Sequence, residues 1–278
     1  YVSKSAEHQN LTHTAFCPGP NSGRYSISQN VYDEFLNLYH DAIYHGNQLN
    51  LIEKCDNLKY SPLRIDIDFR FNEKITEHTY NVDDLKTIIK SYYYEIEKYL
   101  DLSKEETQVF VYEIQNPITE TNKTSTIYKD GIHILFPKIN ITPDIQHIIR
   151  NNILEIFGNI FDTVKLKFIN PPGDVIDLSI IDRNGWIMYG SSKPHREPYK
   201  LTKSYLFNSD CEDDDLALEE VDINTLSLKQ IIEMSSIRNK TTTVKIKEDK
   251  VEEIKEYNEK KLIEKKKKVN KSCAKDSA

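Results

Sequence analysis

The chain has few of the residues that mark several common classes of protein. Its 278 residues include 8 glycines, 2 methionines and 4 cysteines. The cysteines lie far apart and form no Cys-x-x-Cys pair, which argues against a structural zinc site and suits a reducing compartment. No Gly-x-x-x-x-Gly-Lys-Ser/Thr sequence occurs, which excludes a P-loop ATPase within these residues. The four cysteines are Cys17, Cys55, Cys211 and Cys273.

Long apolar runs are also missing. A helix that crosses a bilayer needs roughly 20 apolar residues, and no stretch approaches that length. No basic start followed by an apolar segment indicates a signal peptide. We therefore expect no membrane partner. Because the sequence begins with Tyr1 rather than Met, we also expect it to be part of a longer polypeptide.

Charge is unevenly distributed. The formal net charge is −7, which argues weakly against a nucleic-acid partner, although net charge is a poor guide where charges are segregated. Acidic residues concentrate at 210–215 and 219–220, and lysines at 260–268. We therefore expect a catalytic core over 1–207. An acidic segment and a charged helical tail, acting as a linker to a missing domain, should follow over 208–278.

Apolar periodicity predicts alternating helices and strands. A stripe from Val82 to Leu100 predicts a helix over 82–100. Thr142-Pro143-Asp144 has the residues of a helix start, and that helix should run to about Phe157, with Gly158 just beyond its end. Further helices are expected at 30–45 and 226–237, and strands at 49–53, 63–71, 107–114, 131–136, 174–181 and 186–190, with a loop at 115–126.

This order predicts an α+β fold. From 63 to 190 the elements run β-α-β-β-α-β-β, which favours a mostly antiparallel, RRM-like sheet flanked by helices over 61–207. An N-terminal α/β part should precede it over about 1–60.

Two carboxylates interrupt the run at 63–71, which reads Leu-Arg-Ile-Asp-Ile-Asp-Phe-Arg-Phe. On a strand, side chains two residues apart share a face, so Asp66 and Asp68 project together while Ile65, Ile67 and Phe69 point to the core. Crowded carboxylates repel one another, and a divalent metal ion commonly compensates them. The alternative is an exposed strand face on which both groups are solvated.

Two later segments also place polar groups among apolar residues. Taken alone, His133 could be a hydrogen-bonded core histidine, Asp177 a cap at a strand end, and Lys193 a surface lysine. Their coincidence with the aspartate pair favours one site. The two segments are 129–136, reading Lys-Asp-Gly-Ile-His-Ile-Leu-Phe, and 175–179, reading Val-Ile-Asp-Leu-Ser and followed by Gly190-Ser191-Ser192-Lys193.

In this order and spacing the segments resemble the motifs of archaeo-eukaryotic primases and primase-polymerases. Those motifs are an Asp-x-Asp/Glu pair, a Ser-x-His-like strand segment, and a late Asp followed by a basic nucleotide contact. The likeness is above all to the primase part of the primase–helicases of poxviruses and other nucleocytoplasmic large DNA viruses. It covers about residues 10–205 and includes Thr12-His13-Thr14, Gly23-Arg24-Tyr25-Ser26-Ile27 and 49–54.

The resemblance implies a DNA primase with DNA polymerase activity, working on a single-stranded DNA template with nucleoside triphosphates. Asp66, Asp68 and Asp177 would be the catalytic ligands of two Mg²⁺ or Mn²⁺ ions. Nucleotide contacts would come from Arg24, Lys129, Gly131, His133, Ser192 and Lys193. A helicase domain would follow in the same polypeptide, which would act in the virus-infected cell, in a cytoplasmic viral factory.

Two positions depart from the family pattern. Gly131 stands where many relatives have Ser, and Ile187 lies near the place of a nucleotide-contacting Arg in many primase-polymerases. A metal-dependent nuclease would use the same carboxylates but needs no cradle for a triphosphate. A non-catalytic RRM-like module would need exposed aromatic residues on its sheet. Both remain alternatives.

Overall fold

The computed structural model describes residues 2–4, 11–16, 22–55, 59–121, 125–182, 184–208, 217–238 and 243–275. The acidic run at 210–215, Cys17 and Cys211 lie outside these ranges. No side chain is described before residue 11 or after residue 263, which leaves out those of 265–268 and Cys273. Cys55 is buried, and its thiol donates to the carbonyl oxygen of Asn184 at 2.7 Å.

The described chain forms two main antiparallel sheets with helices, and a third sheet of only two strands. The first part comprises β1 (Val2–Lys4), β2 (His13–Ala15), β3 (Gly23–Ile27), α1 (Tyr32–Tyr44), β4 (Leu51–Glu53) and β5 (Ser61–Phe71). Next come α2 (Val82–Glu97), β6 (Leu100–Asp101), β7 (Val109–Glu113), β8 (Ile118–Thr121), β9 (Thr126–Ile141), α3 (Pro143–Glu155) and α4 (Phe157–Val164). The remainder comprises α5 (Pro172–Val175), α6 (Ser179–Asp182), β10 (Trp186–Ile187), β11 (Lys200–Asn208), β12 (Ala217–Val221), α7 (Leu228–Ser235), β13 (Lys245–Ile246) and α8 (Val251–Lys275).

The smaller sheet belongs mainly to the N-terminal part and has the order β1-β3-β2-β4-β10. Its last strand comes from much later in the chain, since Trp186 pairs with Glu53 and Ile187 with Ile52. Helix α1 packs on this sheet through Tyr32, which is 1% exposed.

The larger sheet has the order β12-β11-β7-β9-β5, with β8 added to β9 as a hairpin. The main core lies between this sheet and helices α2, α3 and α4. Asn81 caps α2 by accepting hydrogen bonds from the backbone N–H groups of Asp83 and Asp84. The predicted α+β class with antiparallel sheets is confirmed, whereas this strand order does not by itself establish an RRM-like arrangement.

The predicted strand at 174–181 is wrong. Residues 172–175 and 179–182 form single helical turns, and only Ile176 pairs, in an isolated bridge to Ile67. Pro172 at the first position of α5 suits a helix start. The guanidinium of Arg150 then donates to the carbonyl oxygens of Gly173 and Ile176, which satisfies acceptors that a strand would have bonded to a neighbour.

Two smaller predictions also differ from the structure. Gly158 lies inside α4 rather than beyond a helix end, since the chain turns at Ile156 and continues helically. The predicted loop at 115–126 contains β8, whose hairpin partner is the N-terminal half of β9. The core strand predicted at 131–136 is consequently much longer, 16 residues in all.

Described residues beyond 208 pack on the rest of the molecule. Strand β12 pairs with β11, and Ile237 after α7 is fully buried. Ile254 of α8 joins the main core. The packed structure therefore extends further than the acidic and basic composition indicates, because a few apolar residues in a polar segment are enough to hold it against the sheets.

Candidate functional site

A cleft of about 880 Å³ lies between the two sheets. Thr14, Arg24 and Ile52 of the smaller sheet form one side of it. Strands β5 and β9 and the chain between α5 and β11 form the other sides. All nine residues predicted for the site line this cleft, namely Arg24, Asp66, Asp68, Lys129, Gly131, His133, Asp177, Ser192 and Lys193.

Strand pairing sets the central part of the cleft. In the β5–β9 register Asp66 stands opposite His133, and Asp68 stands opposite Gly131. The intervening Ile67 and Phe69 are fully buried in the core, as the alternation predicts. The carboxylate pair therefore faces the cleft because the opposite face of β5 is committed to the core.

A side-chain clamp holds the end of β5 next to these carboxylates. The amide of Asn170 donates to the carbonyl oxygen of Asp68 at 2.7 Å and accepts from the backbone N–H of Arg70 at 3.0 Å. Asn170 is itself buried. These bonds fix the backbone at Asp68 from the side that β9 does not cover.

Asp177 reaches the same place by a different route. Its backbone N–H donates to the carbonyl oxygen of Asp66 at 3.1 Å. Arg150, on α3, holds the preceding turn by donating to the carbonyl oxygen of Ile176 at 2.7 Å. A helix and a short loop thus set the position of Asp177, whereas a strand sets the positions of Asp66 and Asp68.

The charges of Asp68 and Asp177 act on Asp66. Burial, followed by the charges of Asp68 and Asp177, raises the pKa of Asp66 to about 7. The charges of Lys193 and Lys129 act in the opposite direction. Such crowding of carboxyl groups is what a bound cation relieves.

Carboxylate oxygens are the ligands that Mg²⁺ and Mn²⁺ prefer, so the donor chemistry fits such an ion. The side chains are otherwise engaged, however. Asp177 accepts from the backbone N–H and the hydroxyl of Ser179 at 2.8 and 2.6 Å, and Asp68 lies 3.3 Å from the Nε of Arg70. Among the described residues, no three His, Cys, Asp or Glu side chains are placed to hold a metal ion as they stand. Each oxygen of Asp177 accepts one hydrogen bond from Ser179 and has a second lone pair available to a cation.

Basic side chains border the carboxylates. The Nζ of Lys129 lies 3.6 Å from Oδ2 of Asp68 and 3.0 Å from Oε2 of Glu120. Arg196 contacts the other oxygen of Glu120 at 3.2 Å. Lys193 is exposed, and Arg24 lies across the cleft on β3. The net charge of the chain is negative, but acidic and basic side chains line this cleft together.

His133 is held as a neutral ring. Burial, and then the charge of Lys193, lowers its pKa to about 3. The ring of Tyr199 stacks on it with a centroid distance of 3.7 Å and an interplanar angle of 12°. Its Nε2 lies 3.5 Å from Oδ1 of Asp66. Tyr199 therefore fixes the plane of the His133 ring, so His133 would meet a ligand in a fixed orientation.

Ser192 presents a polar atom without a protein partner. Its Oγ is buried and makes no hydrogen bond within the described part of the chain. Its backbone N–H donates to the carbonyl oxygen of Leu49 at 3.0 Å, which ties this loop to the smaller sheet. An unpartnered hydroxyl in a ligand-sized cleft is a candidate contact.

Several cleft residues escaped the sequence reasoning. Tyr199, Glu120 and Arg196 line the cleft, and Arg150 and Asn170 support it from behind. The apolar strand patterns that located the other residues do not extend to these positions. The hairpin formed by β8 and β9, had it been recognised, would have placed Glu120 beside Lys129.

A family model described as "C962R protein N-terminal AEP domain" matches residues 12–205. The chain therefore belongs to this family of archaeo-eukaryotic primase domains. Members of the family are found in the primase–helicases of large DNA viruses. The predicted family is confirmed.

Two viral proteins are similar to the chain. It is 29% identical over 209 residues to "Putative helicase L207/L206" of Acanthamoeba polyphaga mimivirus. The aligned region covers 74% of this chain and 21% of that protein. The chain is 28% identical over 221 residues to "Putative helicase 184R" of Invertebrate iridescent virus 6. This second aligned region covers 73% of this chain and 22% of that protein. The chain thus spans about a fifth of the length of these relatives.

None of the helices in the described ranges has the length and apolar character needed to cross a membrane.

Proposed function

We propose that this domain is a DNA-dependent primase with DNA polymerase activity, which makes primers on single-stranded DNA by nucleotidyl transfer. The observation that carries the proposal is that all nine predicted residues line one cleft. Membership of a primase superfamily supports the reaction class. The relatives' names, both putative helicases of viruses, support a helicase region in the same polypeptide. As part of the proposal, the domain would act in viral DNA replication within the infected cell, in a cytoplasmic viral factory.

In this proposal the carboxylates and the basic residues have separate tasks. Asp66, Asp68 and Asp177 would hold two Mg²⁺ or Mn²⁺ ions. When bound, such ions lower the charge repulsion in the attack of a 3′-hydroxyl on an α-phosphate and stabilise the leaving pyrophosphate. Arg24 of β3, Gly131 and the buried hydroxyl of Ser192 would add contacts to the nucleotide.

The phosphate contacts would come mainly from β9 and the loop before β11. Lys129 and Lys193 would act as point charges on the triphosphate, and Lys129 is already 3.6 Å from a carboxylate oxygen of Asp68. His133 is neutral, so it would donate a hydrogen bond without adding charge. The template strand would lie between the sheets, where exposed Phe16, just after β2, and Arg24 of β3 line the cleft.

The test is primer synthesis on single-stranded DNA with nucleoside triphosphates and Mn²⁺ or Mg²⁺. The Asp66→Asn/Asp68→Asn variant keeps the side-chain size and removes both charges. We expect the parent to extend products and this variant to make none. A matched control is Asp101→Asn, which changes a half-exposed carboxylate on β6 far from the cleft.

Products that persist in the double variant would contradict the proposal. Degradation of the DNA without synthesis would favour a nuclease. Binding of DNA without either reaction would favour a non-catalytic module.

A further inference from the structure

Tyr199 lines the cleft and supports the ring of His133. Its ring is held flat against His133, at a centroid distance of 3.7 Å. Its position therefore fixes where its hydroxyl points, because a stacked ring leaves the hydroxyl little freedom of direction.

That hydroxyl lies at Gly131. A Cβ atom built on Gly131 would be only 2.8 Å from Oη of Tyr199 and 3.5 Å from the carbonyl oxygen of Ile67. Gly131 has no positive φ, so its backbone does not require glycine. Glycine is required at residue 131 for lack of space, because the hydroxyl of Tyr199 already occupies the volume that a side chain there would take.

The surroundings favour a ligand for this hydroxyl. Gly131 pairs with Asp68 across the strands, and Lys129 lies two residues away on the same face of β9. Within the described residues Oη of Tyr199 makes no hydrogen bond, and the residue lines the cleft. Tyrosine hydroxyls that are largely buried usually find a partner, and here the open side is the cleft.

We infer that the hydroxyl of Tyr199 donates a hydrogen bond to the triphosphate of the bound nucleotide, in the place that a side chain at residue 131 would otherwise occupy. This inference rests on the proposed function, since it names a contact of the same site. It makes Tyr199 a substrate-binding residue and not only the support of His133.

The experiment separates the hydroxyl from the ring. Tyr199→Phe keeps the ring on His133 and removes only Oη. Gly131→Ser adds a hydroxyl but forces Tyr199 to move. The double variant Tyr199→Phe/Gly131→Ser puts a hydroxyl back into the volume that Oη has left. Tyr94→Phe, an exposed tyrosine on α2, is the matched control.

Two measurements apply to each variant. One is the dissociation constant of dATP with Mn²⁺ by calorimetry, with inorganic tripolyphosphate as a competitor that lacks sugar and base. The other is the split between KM and kcat in primer synthesis. Loss of one hydrogen bond to a charged group should weaken dATP and tripolyphosphate binding by about tenfold in Tyr199→Phe, and raise KM more than it lowers kcat.

The double variant should recover most of this loss, while Gly131→Ser alone should also bind weakly. The inference is overturned if Tyr199→Phe binds both ligands like the parent, if tripolyphosphate binding is unchanged while dATP binding falls, or if the double variant shows the sum of the two single losses. A parent that binds dATP but makes no primers counts against the proposed function, and the binding data then still decide the role of Tyr199.

Discussion

Oδ1 of Asp66 on β5 lies 3.5 Å from Nε2 of His133, the residue directly opposite on β9. At this pair the carboxylates of β5 face His133 and the other cleft residues of β9. Because backbone hydrogen bonds of a sheet hold both residues, their relative position does not depend on a loop. A site built on paired strands is more rigid than one assembled from loops, which suits chemistry that relies on positioning.

Lys129 is expected to serve nucleotide binding rather than stability. Lys129→Ala should raise KM for nucleotides by about tenfold, because a lysine contact to a phosphate is a charge-assisted interaction. Steady-state primer synthesis measures this effect. Lys138→Ala is the control, since Lys138 is an exposed residue of the same strand outside the cleft. Equal KM values for the two variants would contradict the assigned role.

Arg150 is expected to position Asp177 through the backbone. Arg150→Met removes the donors to the carbonyl oxygens of Gly173 and Ile176. Leaving the acceptor of the buried Ile176 unpaired should lower the free energy of unfolding by about 2 kcal/mol. Denaturant unfolding measures this change. Primer synthesis should also fall well below that of Arg150→Lys, which keeps one charged donor. A stable Arg150→Met protein with parental activity would show that Asp177 needs no such support.

His13 should make the protein sensitive to acid. The ring is fully buried, and burial, followed by the charge of Arg238, lowers its pKa to about 3. The unfolded chain binds a proton near pH 6.5, whereas the folded chain does not. The contribution of neutral His13 to stability is therefore fully present above pH 6.5 and is lost as the pH falls from 6.5 toward 3. The loss attributable to His13 is about 2 kcal/mol between pH 7 and pH 5.

Denaturant unfolding at the two pH values tests this dependence. In His13→Gln the difference in unfolding free energy between pH 7 and pH 5 should shrink by about that amount, since glutamine does not titrate. His45→Gln, at an exposed position after α1, should leave the difference as in the parent. An unchanged pH dependence in His13→Gln would show that another group is responsible.

The segment after residue 208 should be required for folding. A chain that ends at residue 208 loses the fully buried Ile237 and two donors to the buried carboxylate of Glu53, which are the hydroxyl of Ser236 and the backbone N–H of Ile237. We expect it to lose cooperative thermal unfolding, measured by circular dichroism. A chain that ends at residue 263, beyond Ile254, should keep it. Cooperative unfolding of the shorter chain would mean that the core is complete by residue 208.

Local patterns predict much of this fold because they act over a few residues. The alternation at 63–71 places Asp66 and Asp68 on one face, since every second residue of a strand shares a direction. The proline and acidic residue after Thr142 start α3 at Pro143, as predicted. At 174–181 the pattern fails, because a short apolar run suits a buried strand and a helical turn equally. Hydrogen bonds from the distant Arg150 decide between them.

The sequence by itself determined which strand carries the carboxylates, which face of it they share, and the family to which the chain belongs. Only the tertiary structure decided that Tyr199 occupies the space beside Gly131, that Asp177 is bonded to Ser179, and that residues 217–238 complete the core. The physical reason is the distance along the chain over which each interaction acts. Periodicity and capping depend on neighbours along the chain, whereas these contacts depend on which distant segments pair and in which register.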